Sequence, residues 1–409
     1  MAELPWLRFI LVSGTNGKTT TAHLLHHLLA RSGRRALLND SGANLESGLL
    51  TAILTRLPLR PPSGASATFI LEVDEAALAR LADRLRPETV ILTNFCRDQL
   101  DRYGELDAMA ARLGRALAGL EPPPALILNA DDPGVARLGS GRAGVSYYGL
   151  DAELAGAWSP PLEHFACESC GAELAYNRIF LGHCGDWHCP SCGLARPARQ
   201  AGLAGLAPDP GGEGFALRLD LGGEEIAARL PLPGLHNVYN ALAAAAAAVS
   251  HGVRPEEAAA GLSSAAPCYG RGERQRLGGR ELRLFLIKNP AGANAILETI
   301  SPRRAADLWF AINDLTADGR DVSWLWDVDF EGFWQRNGPP GRVLVSGRRA
   351  LDLAVRLRYS GLPPERIAIL PRIRRGLRLA ATGTGPLYVL ATYTAMLSLR
   401  ERLKTAERW

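Results

Sequence analysis

Lysine is almost absent from this sequence. Only Lys18, Lys288 and Lys404 are lysines among its 46 basic residues, and arginine supplies the remaining positive charge. A lysine retained in such a chain marks a place where a compact point charge is useful, although codon bias would explain so small a sample equally well. Lys18 stands in the segment SGTNGKTTTA and Lys288 in LIKNPAG, which makes both segments candidates for function.

The sequence also lacks a long apolar run and a strong net charge. No stretch approaches the roughly 18 apolar residues of a membrane-spanning helix, and a strand begins too early to leave room for a signal peptide. We therefore expect a cytoplasmic protein without a transmembrane segment. A net charge of +4 with 22% charged residues is too small to indicate nucleic-acid binding by itself. The 409 residues, 47% of them hydrophobic, suffice for two or three domains.

The first lysine lies in a candidate phosphate-binding loop. An apolar run at 7–12 predicts a buried strand, and leucines at helical spacing after the loop predict a helix. Gly14 and Gly17 let backbone N–H groups face a phosphate, Lys18 brings positive charge, and Thr19 offers a hydroxyl to Mg²⁺. The alternative is a plain glycine turn before a helix. The predicted nucleotide-binding residues of this loop are Gly14, Thr15, Asn16, Gly17, Lys18, Thr19 and Thr20.

Other apolar runs also end in polar side chains, as strands do at the ligand-binding edge of a parallel sheet. The alternation of such strands with Ala/Leu-rich helices predicts an α/β fold with a largely parallel sheet. Glu72 is the predicted second Mg²⁺ ligand, while each aspartate taken alone is explained as well by helix capping. The polar residues at these strand ends are Glu72, Asp74, Thr93, Asn94, Asp98, Asp101, Asn129, Asp131 and Asp132.

The segment LPGLHNVYNALAAAAAAV combines a turn, three polar residues and an alanine-rich helix. Asn237 and Asn240 lie three residues apart, so a helix would present both amides on one face. Together with His236 they are candidates for contacting the nucleotide. The alternative is an asparagine N-cap before a strong helix former.

Two short cysteine pairs, CESC at 167–170 and CPSC at 189–192, have the spacing of a zinc ribbon. The predicted Zn²⁺ ligands are Cys167, Cys170, Cys189 and Cys192. Four thiolates leave no open position for water, so the site would be structural. Two disulfides are the alternative, and Cys184 and His188 inside the spacer could compete as ligands. For Cys96 and Cys268 we expect buried apolar roles.

An acidic segment follows the strand LWFAI in the second half of the chain. Trp324 and Trp326 stand among its carboxylates and indicate that part of it packs against other residues rather than forming a solvated loop. The carboxylates are Asp314, Asp318, Asp321, Asp327, Asp329 and Glu331.

The motifs SGTNGKTTT, TNFCRDQLDRYGE, LNADDP, LPGLHNVYNA and YGRGERQ occur here in the order found in Mur ligases, and the chain resembles that family from residue 7 to about 275. Mur ligases use ATP to build peptidoglycan stem peptides. The resemblance implies ATP and Mg²⁺ as cofactors. It assigns phosphate binding to Lys18, Mg²⁺ to Thr19 and Glu72, nucleotide contacts to His236, Asn237 and Asn240, and a phosphate-reaching role to Arg271.

This sequence departs from the Mur pattern at two places. Only twelve residues precede the loop, so the N-terminal domain that recognises the UDP-sugar in amino-acid-adding Mur ligases is not expected. Gln99 stands where those enzymes have a metal-binding histidine, and no lysine is present between Lys18 and Lys288 to become carbamylated. A second metal site would lack its usual ligands.

The cysteine insertion, the short N-terminus and the C-terminal segments resemble one branch of the family, the MurT subunits of lipid II isoglutaminyl synthase. That resemblance implies a synthetase subunit that converts the D-glutamate α-carboxyl of lipid II to an acyl phosphate. Ammonia from a GatD-type glutaminase, the partner in a heterodimer, then gives D-isoglutamine. It also implies a location at the inner face of the plasma membrane. The resemblance further implies that an aspartate of the acidic segment is needed for amide formation, and we match it to Asp321, with Asp327 second.

The sequence thus predicts a Mur ligase-type P-loop ATP-binding domain at 1–268, with a Cys₄ zinc ribbon inserted at about 163–197. A smaller α/β Rossmann-like C-terminal domain follows at 269–409. Two alternatives remain. One is a Mur or folylpolyglutamate-type ligase that joins an amino acid directly, and the other is a zinc-ribbon nucleic-acid-binding protein.

Overall fold

A computed structural model of the chain describes residues 6–39, 44–57, 66–96, 105–151, 165–210, 214–267, 270–300 and 306–406. These residues divide into two compact units, with the boundary between Ala266 and Pro267. We call them unit 1 and unit 2. Four residues considered above, Asp98, Gln99, Asp101 and Cys268, lie outside the described residues.

The described part of unit 1 contains a nine-stranded sheet. Its strands are β1 (Leu7–Ser13), β2 (Ala36–Leu38), β3 (Ala67–Glu72), β4 (Thr89–Leu92), β5 (Ala125–Asn129), β6 (Val145–Leu150), β9 (Ala201–Pro208), β10 (Phe215–Leu221) and β11 (Glu225–Leu230). Their order is β11-β10-β9-β6-β5-β4-β1-β3-β2. The strands pair in parallel except β10 and β11, which are antiparallel. The ends of β3, β1 and β4 are therefore neighbours at one edge.

Helices cover both faces of this sheet, because parallel strands need crossover connections. They are α1 (Lys18–Arg31), α2 (Glu46–Arg56), α3 (Glu75–Leu85), α4 (Glu105–Ala118), α5 (Pro133–Ala136), α6 (Leu235–Ser250) and α7 (Pro255–Leu262). The core on one face includes α1, α6 and α7, and the core on the other includes α2 to α5. Successive residues of β1 alternate between the two cores, as the strand repeat requires: Ile10 faces the first and Leu11 the second.

The cysteine-rich segment between β6 and β9 forms a separate antiparallel hairpin, β7 (Ala175–Leu181) and β8 (Cys184–His188). We call residues 165–199 the ribbon. It has a small apolar cluster of its own, in which Phe165, Leu174 and Trp187 pack with Ala136 of α5.

Unit 2 contains a second, six-stranded sheet. Its strands are β12 (Arg271–Leu277), β13 (Arg280–Leu286), β14 (Asp307–Ala311), β15 (Val343–Ser346), β16 (Ile367–Ile369) and β17 (Leu387–Ala391), and its helices are α8 (Pro290–Ile300), α9 (Phe330–Asn337), α10 (Ala350–Tyr359), α11 (Ile373–Ala381) and α12 (Tyr393–Ala406). The strand order is β12-β13-β17-β14-β15-β16, parallel except for β12. Separate apolar cores lie on its two faces.

Both sheets confirm the predicted α/β class. The predicted strand before the glycine loop and the helix after it are β1 and α1, and LPGLHNVYNA opens α6. Among the described residues, no helix combines the length and apolar character that crossing a membrane requires.

Candidate functional site

The candidate phosphate loop connects β1 to α1. Gly14 and Gly17 have φ angles of 118° and 87°, which L side chains rarely adopt. A side chain would also have no space at either position: a Cβ on Gly14 would overlap the Thr93 hydroxyl, and one on Gly17 would overlap the side-chain oxygen of Asn240. Both glycines are required by conformation and by the close approach of neighbouring segments.

The residues that follow β4 hold this loop in place. Thr15 donates its backbone N–H to the Asn94 carbonyl at 2.8 Å, and the Asn16 N–H donates to Asn94 Oδ1 at 3.0 Å. Thr93 Oγ1 donates to the Asn16 carbonyl at 2.7 Å, and the Cys96 N–H donates to Thr15 Oγ1 at 3.2 Å. We call residues 93–96 the loop clamp. Two of the predicted strand-end residues, Thr93 and Asn94, thus lie against the loop.

Lys18 is buried and turns back over its own loop. Its Nζ donates to the carbonyls of Gly14 and Thr15 and lies 3.5 Å from Glu75 Oε2. Glu75, at the first turn of α3, is also buried, and sequence reasoning missed it. The available signal was its place in EVDE, directly after β3.

Glu72 occupies the carboxyl end of β3, paired with Val12 of β1. It is buried, and the Asn39 side chain holds its backbone with hydrogen bonds of 2.7 and 3.0 Å. A carboxylate there and a hydroxyl on Thr19 are the oxygen ligands that Mg²⁺ prefers. Asp74 instead caps α3 by accepting the N–H groups of Ala76 and Ala77, as the capping alternative predicted.

The first turn of α6 meets the loop helix. Asn240 Oδ1 accepts from the Thr21 hydroxyl at 3.3 Å, and Asn240 Nδ2 donates to Asn237 Oδ1 at 3.3 Å. Asn237 in turn donates to the Pro233 carbonyl at 2.7 Å. The N-cap of α6 is Gly234, so the alternative of an asparagine N-cap is wrong. His236 lies beside them, half-buried at the start of α6.

The four predicted zinc ligands lie together. All four Sγ atoms are within 4.8 Å of one another, with 3.5 Å from Cys167 to Cys192 and 3.5 Å from Cys170 to Cys189. A tetrahedral zinc with Zn–S bonds of about 2.3 Å places its sulfurs about 3.8 Å apart, and a disulfide needs about 2.05 Å. The arrangement fits zinc.

The two cysteine pairs have the same local geometry. Gly171 and Gly193 follow the second cysteine of each pair with φ angles of 74° and 78°. Each glycine donates its N–H to the carbonyl of the first cysteine, Cys167 or Cys189, at 2.9 and 3.0 Å. The backbone N–H of Cys192 helps to lower the pKa of Cys189, whereas the neighbouring thiols, opposed by the Leu194 N–H, raise the pKa of Cys192.

The two residues that could have competed as zinc ligands, Cys184 and His188, are the first and last residues of β8, and neither belongs to the four-cysteine cluster. Cys184 belongs to a buried group with Asp132 and His183, whose ligand atoms are also within 4.8 Å of one another. Burial raises the pKa of Cys184 to about 11, and the Asp132 oxygens already accept hydrogen bonds from Val135, Phe95 and His183. This group is a hydrogen-bond network. Cys96 is buried, as expected.

The acidic segment of unit 2 is mostly engaged with arginines and helix ends. Glu331 forms a bidentate pair with Arg356 at 2.6 and 2.7 Å, and Asp314 pairs with Arg348 at 2.7 Å. Asp318 is buried and accepts the Thr394 N–H at 2.7 Å. Asp329 caps α9.

Asp321 and Asp327, unlike Asp318, keep access to solvent. Asp321 accepts the Ser323 N–H at 2.7 Å and is half-buried, and Asp327 is exposed. The prediction that part of this segment packs against other residues is confirmed: Trp324 is buried, and Trp326, although 51% exposed, lies against Tyr359.

The two remaining sequence candidates also lie in unit 2. Arg271 is the first residue of β12 and is half-buried, and Lys288 follows β13. Both residues belong to unit 2.

These features define a class of protein. A glycine loop with a buried lysine on a parallel sheet, followed by a second parallel-sheet unit, is the fold of Mur-type ATP-dependent ligases. A pseudomurein peptide ligase type C from Methanothermus fervidus superposes with a TM-score of 0.72 at 22% identity, covering 97% of this chain and 78% of that one. Folylpolyglutamate synthase from Mycobacterium tuberculosis gives 0.62 at 15% identity, with coverages of 97% and 91%.

Sequence comparison identifies the family within this class. The Mur ligase middle domain matches residues 12–165, and the MurT ligase C-terminal domain matches residues 286–396. The MurT subunit of lipid II isoglutaminyl synthase from Streptococcus pneumoniae is 32% identical over 408 residues, 97% of this chain and 87% of that protein. The Staphylococcus aureus (strain COL) subunit is 31% identical, with coverages of 86% and 77%.

This chain belongs to the MurT family. The family resemblance inferred from the motifs is confirmed, and the protein is a ligase. Membership of the wider Mur ligase family implies ATP and Mg²⁺, for which the loop, Thr19 and Glu72 offer suitable groups.

Proposed function

We propose that the protein is the synthetase subunit of a lipid II isoglutaminyl synthase. ATP transfers its γ-phosphoryl group to the α-carboxylate of the stem-peptide D-glutamate, which breaks the bond to ADP and forms an acyl phosphate. Ammonia then attacks the acyl carbon, phosphate leaves, and the nitrogen loses a proton to give the amide of D-isoglutamine. The observation that carries this proposal is the similarity to a MurT subunit along 97% of the chain.

Residues of unit 1 supply the positioning and charge neutralisation on which phosphoryl transfer mainly depends. The loop N–H groups and Lys18 hold the phosphates. To do so, Lys18 exchanges its contact with Glu75 for a contact with a phosphate oxygen. Glu72 and Thr19 hold Mg²⁺, which when bound neutralises phosphate charge. Asn237 and Asn240 support the loop from α6, and Arg271 has the phosphate-binding role that the family resemblance assigns to it.

Ammonia comes from a separate glutaminase subunit of the GatD type. Free ammonia is mostly ammonium at neutral pH, so direct delivery from a partner keeps the nucleophile unprotonated. Asp321, or in second place Asp327, serves this step, either by orienting a histidine of the glutaminase or by holding ammonia beside the acyl phosphate. The lipid-linked substrate places the complex at the inner face of the plasma membrane.

Direct addition of an amino acid, as in Mur and folylpolyglutamate ligases, is the second candidate. This second candidate is supported by a fold that the chain shares with such ligases at 22% identity or less. The first candidate is supported by family-level similarity to MurT subunits. The two functions are separated by incubating the chain with ATP, lipid II and either glutamine plus the partner subunit or free amino acids. Amidated lipid II supports the proposal, and an added amino acid overturns it.

Lys18→Met tests the site itself. The substitution keeps the approximate length of the side chain and removes its charge, so we expect ATP turnover to fall by about 10²–10³-fold. Lys404→Met, the same change at an exposed position of α12, is the matched control. Because Glu75 would lose its buried partner, Lys18→Met/Glu75→Gln is assayed beside it. Normal amidation by either Lys18 variant refutes the assignment.

We also propose that Cys167, Cys170, Cys189 and Cys192 bind one structural zinc. Elemental analysis of the purified chain should give one zinc per chain, and chelation should lower its melting temperature, because the binding free energy of such a site is folding free energy. Absence of zinc, or two disulfides in a thiol titration, contradicts the assignment.

A further inference from the structure

The tip of the ribbon hairpin reaches the loop clamp. His183, in the turn between β7 and β8, is buried and its Nε2 donates to Asp132 Oδ2 at 2.8 Å. The same oxygen accepts the Phe95 N–H at 2.6 Å. Phe95 lies between Asn94 and Cys96, the two residues whose backbone and side-chain groups bond Thr15 and Asn16 of the phosphate loop.

The charges of this contact strengthen it. Burial opposes protonation of His183, but the Asp132 carboxylate raises the pKa of the imidazole well above its ordinary value. The pair is therefore a charge-assisted hydrogen bond, which is shorter and stronger than a neutral one. It is dry, because the side chains of His183 and Asp132 are 5% and 0% exposed. The ring of Phe165 packs on His183 at 5.2 Å.

A second connection runs through the neighbouring aspartate. Asp131 is fully buried, lies 2.9 Å from Arg196 Nε of the ribbon and accepts the Tyr239 hydroxyl at 2.7 Å. The Gly185 N–H of the hairpin donates to the Asp131 carbonyl at 2.8 Å. Tyr239 precedes Asn240, whose side chain contacts Gly17 and Thr21 on the far side of the loop.

We infer that the metal-bound ribbon is a brace for the phosphate loop, acting through His183 and Asp132 on the loop clamp and through Arg196, Asp131 and Tyr239 on α6. His183 and Tyr239 are positioning residues, since they act on the loop through Asp132 and Asp131. The ribbon thereby supports nucleotide binding. This inference rests on the proposed ATP-dependent function.

The test compares full-length variants by calorimetric titration with a non-hydrolysable ATP analogue. His183→Phe keeps a ring against Phe165 and removes the donor, and we expect the Kd to rise about tenfold. His183→Gln retains an N–H donor at similar reach and should recover most of the affinity. Tyr239→Phe removes one hydroxyl and should raise the Kd about threefold. Asn177→Ala, at an exposed residue of the same hairpin, is the control and should bind as the parent does.

Activity of the complex with its partner subunit supplies a second readout. The brace predicts a higher KM for ATP in His183→Phe and Tyr239→Phe, with the KM for lipid II and the zinc content unchanged. If His183→Phe fails to fold, Tyr239→Phe and zinc removal from the parent protein decide the question. Unchanged Kd values in Tyr239→Phe and in the zinc-free protein overturn the inference. A parent chain that binds no analogue refutes the proposed function instead.

Discussion

Carboxylates cluster in two regions of this molecule, and the two clusters have opposite characters. Asp131 and Asp132, at the end of β5, are fully buried, and their oxygens bond to the ribbon, the loop clamp and α6. The acidic segment of unit 2 lies nearer the surface, where Asp314 and Glu331 pair with arginines. Asp321 is half-buried and Asp327 is exposed.

The difference shows how similar residue types come to have different roles. A buried carboxylate needs fixed hydrogen-bond and ion-pair partners, so it connects the structural elements that carry those partners. A carboxylate that keeps access to solvent can exchange its contacts and can therefore take part in a reaction. By this comparison, the aspartates of LNADDP support the phosphate loop, and the acidic segment around Asp321 is the better candidate for a catalytic role.

The largest effect is expected where a buried pair is broken. Arg196→Gln leaves Asp131 without its cation, and removal of one partner of a buried ion pair costs about 3–5 kcal/mol of unfolding free energy. Urea denaturation measures this change. The control is Arg218→Gln, whose pair with Glu225 is 63% and 60% exposed and should contribute about 0–1 kcal/mol. Equal losses in the two variants would show that the LNADDP cluster does not differ from a surface pair.

Local patterns predicted the elements of the site, and long-range contacts completed it. The apolar run, the glycines and Lys18 identify the loop from sequence alone, because strand, turn and helix signals are local. Cysteine spacing likewise predicts that Cys167, Cys170, Cys189 and Cys192 lie together, as they do. Nothing local connects His183 with Asp132, which lies 51 residues earlier in the chain. Glu75 was missed for a related reason: a glutamate in the first turn of a helix is explained by the helix dipole before any lysine is considered.

A smaller effect, confined to activity, is expected in the exposed cluster. Asp321→Asn preserves the acceptor for the Ser323 N–H and removes the charge, so folding and ATP binding should be unchanged. Glutamine-dependent amidation should fall about 10²-fold if the carboxylate positions a proton or ammonia. Product formation from lipid II measures the loss.

The source of ammonia separates two roles for Asp321. Ammonium added directly should restore the variant if the carboxylate serves the glutaminase, and should fail to do so if it serves the synthetase. Full glutamine-dependent activity in Asp321→Asn would mean that the chosen aspartate is wrong, and Asp327→Asn is then the next variant. Loss of stability in Asp321→Asn would contradict the contrast between the clusters.

The smallest effect is a difference in the pH dependence of stability. Burial raises the pKa of Asp131 to about 6, whereas the Arg348 hydrogen bond lowers the pKa of Asp314 below its ordinary value. Stability contributed by Asp131 is therefore present at low pH and lost as pH rises towards about 6. Stability contributed by Asp314 is present above its ordinary pKa and lost as pH falls through the lowered value. Urea denaturation of Asp131→Asn and Asp314→Asn between about pH 3 and pH 7 gives the difference in unfolding free energy between each variant and the parent. When these differences are plotted against pH, the two slopes should have opposite signs. Slopes of the same sign would contradict the distinction between a buried and a surface carboxylate.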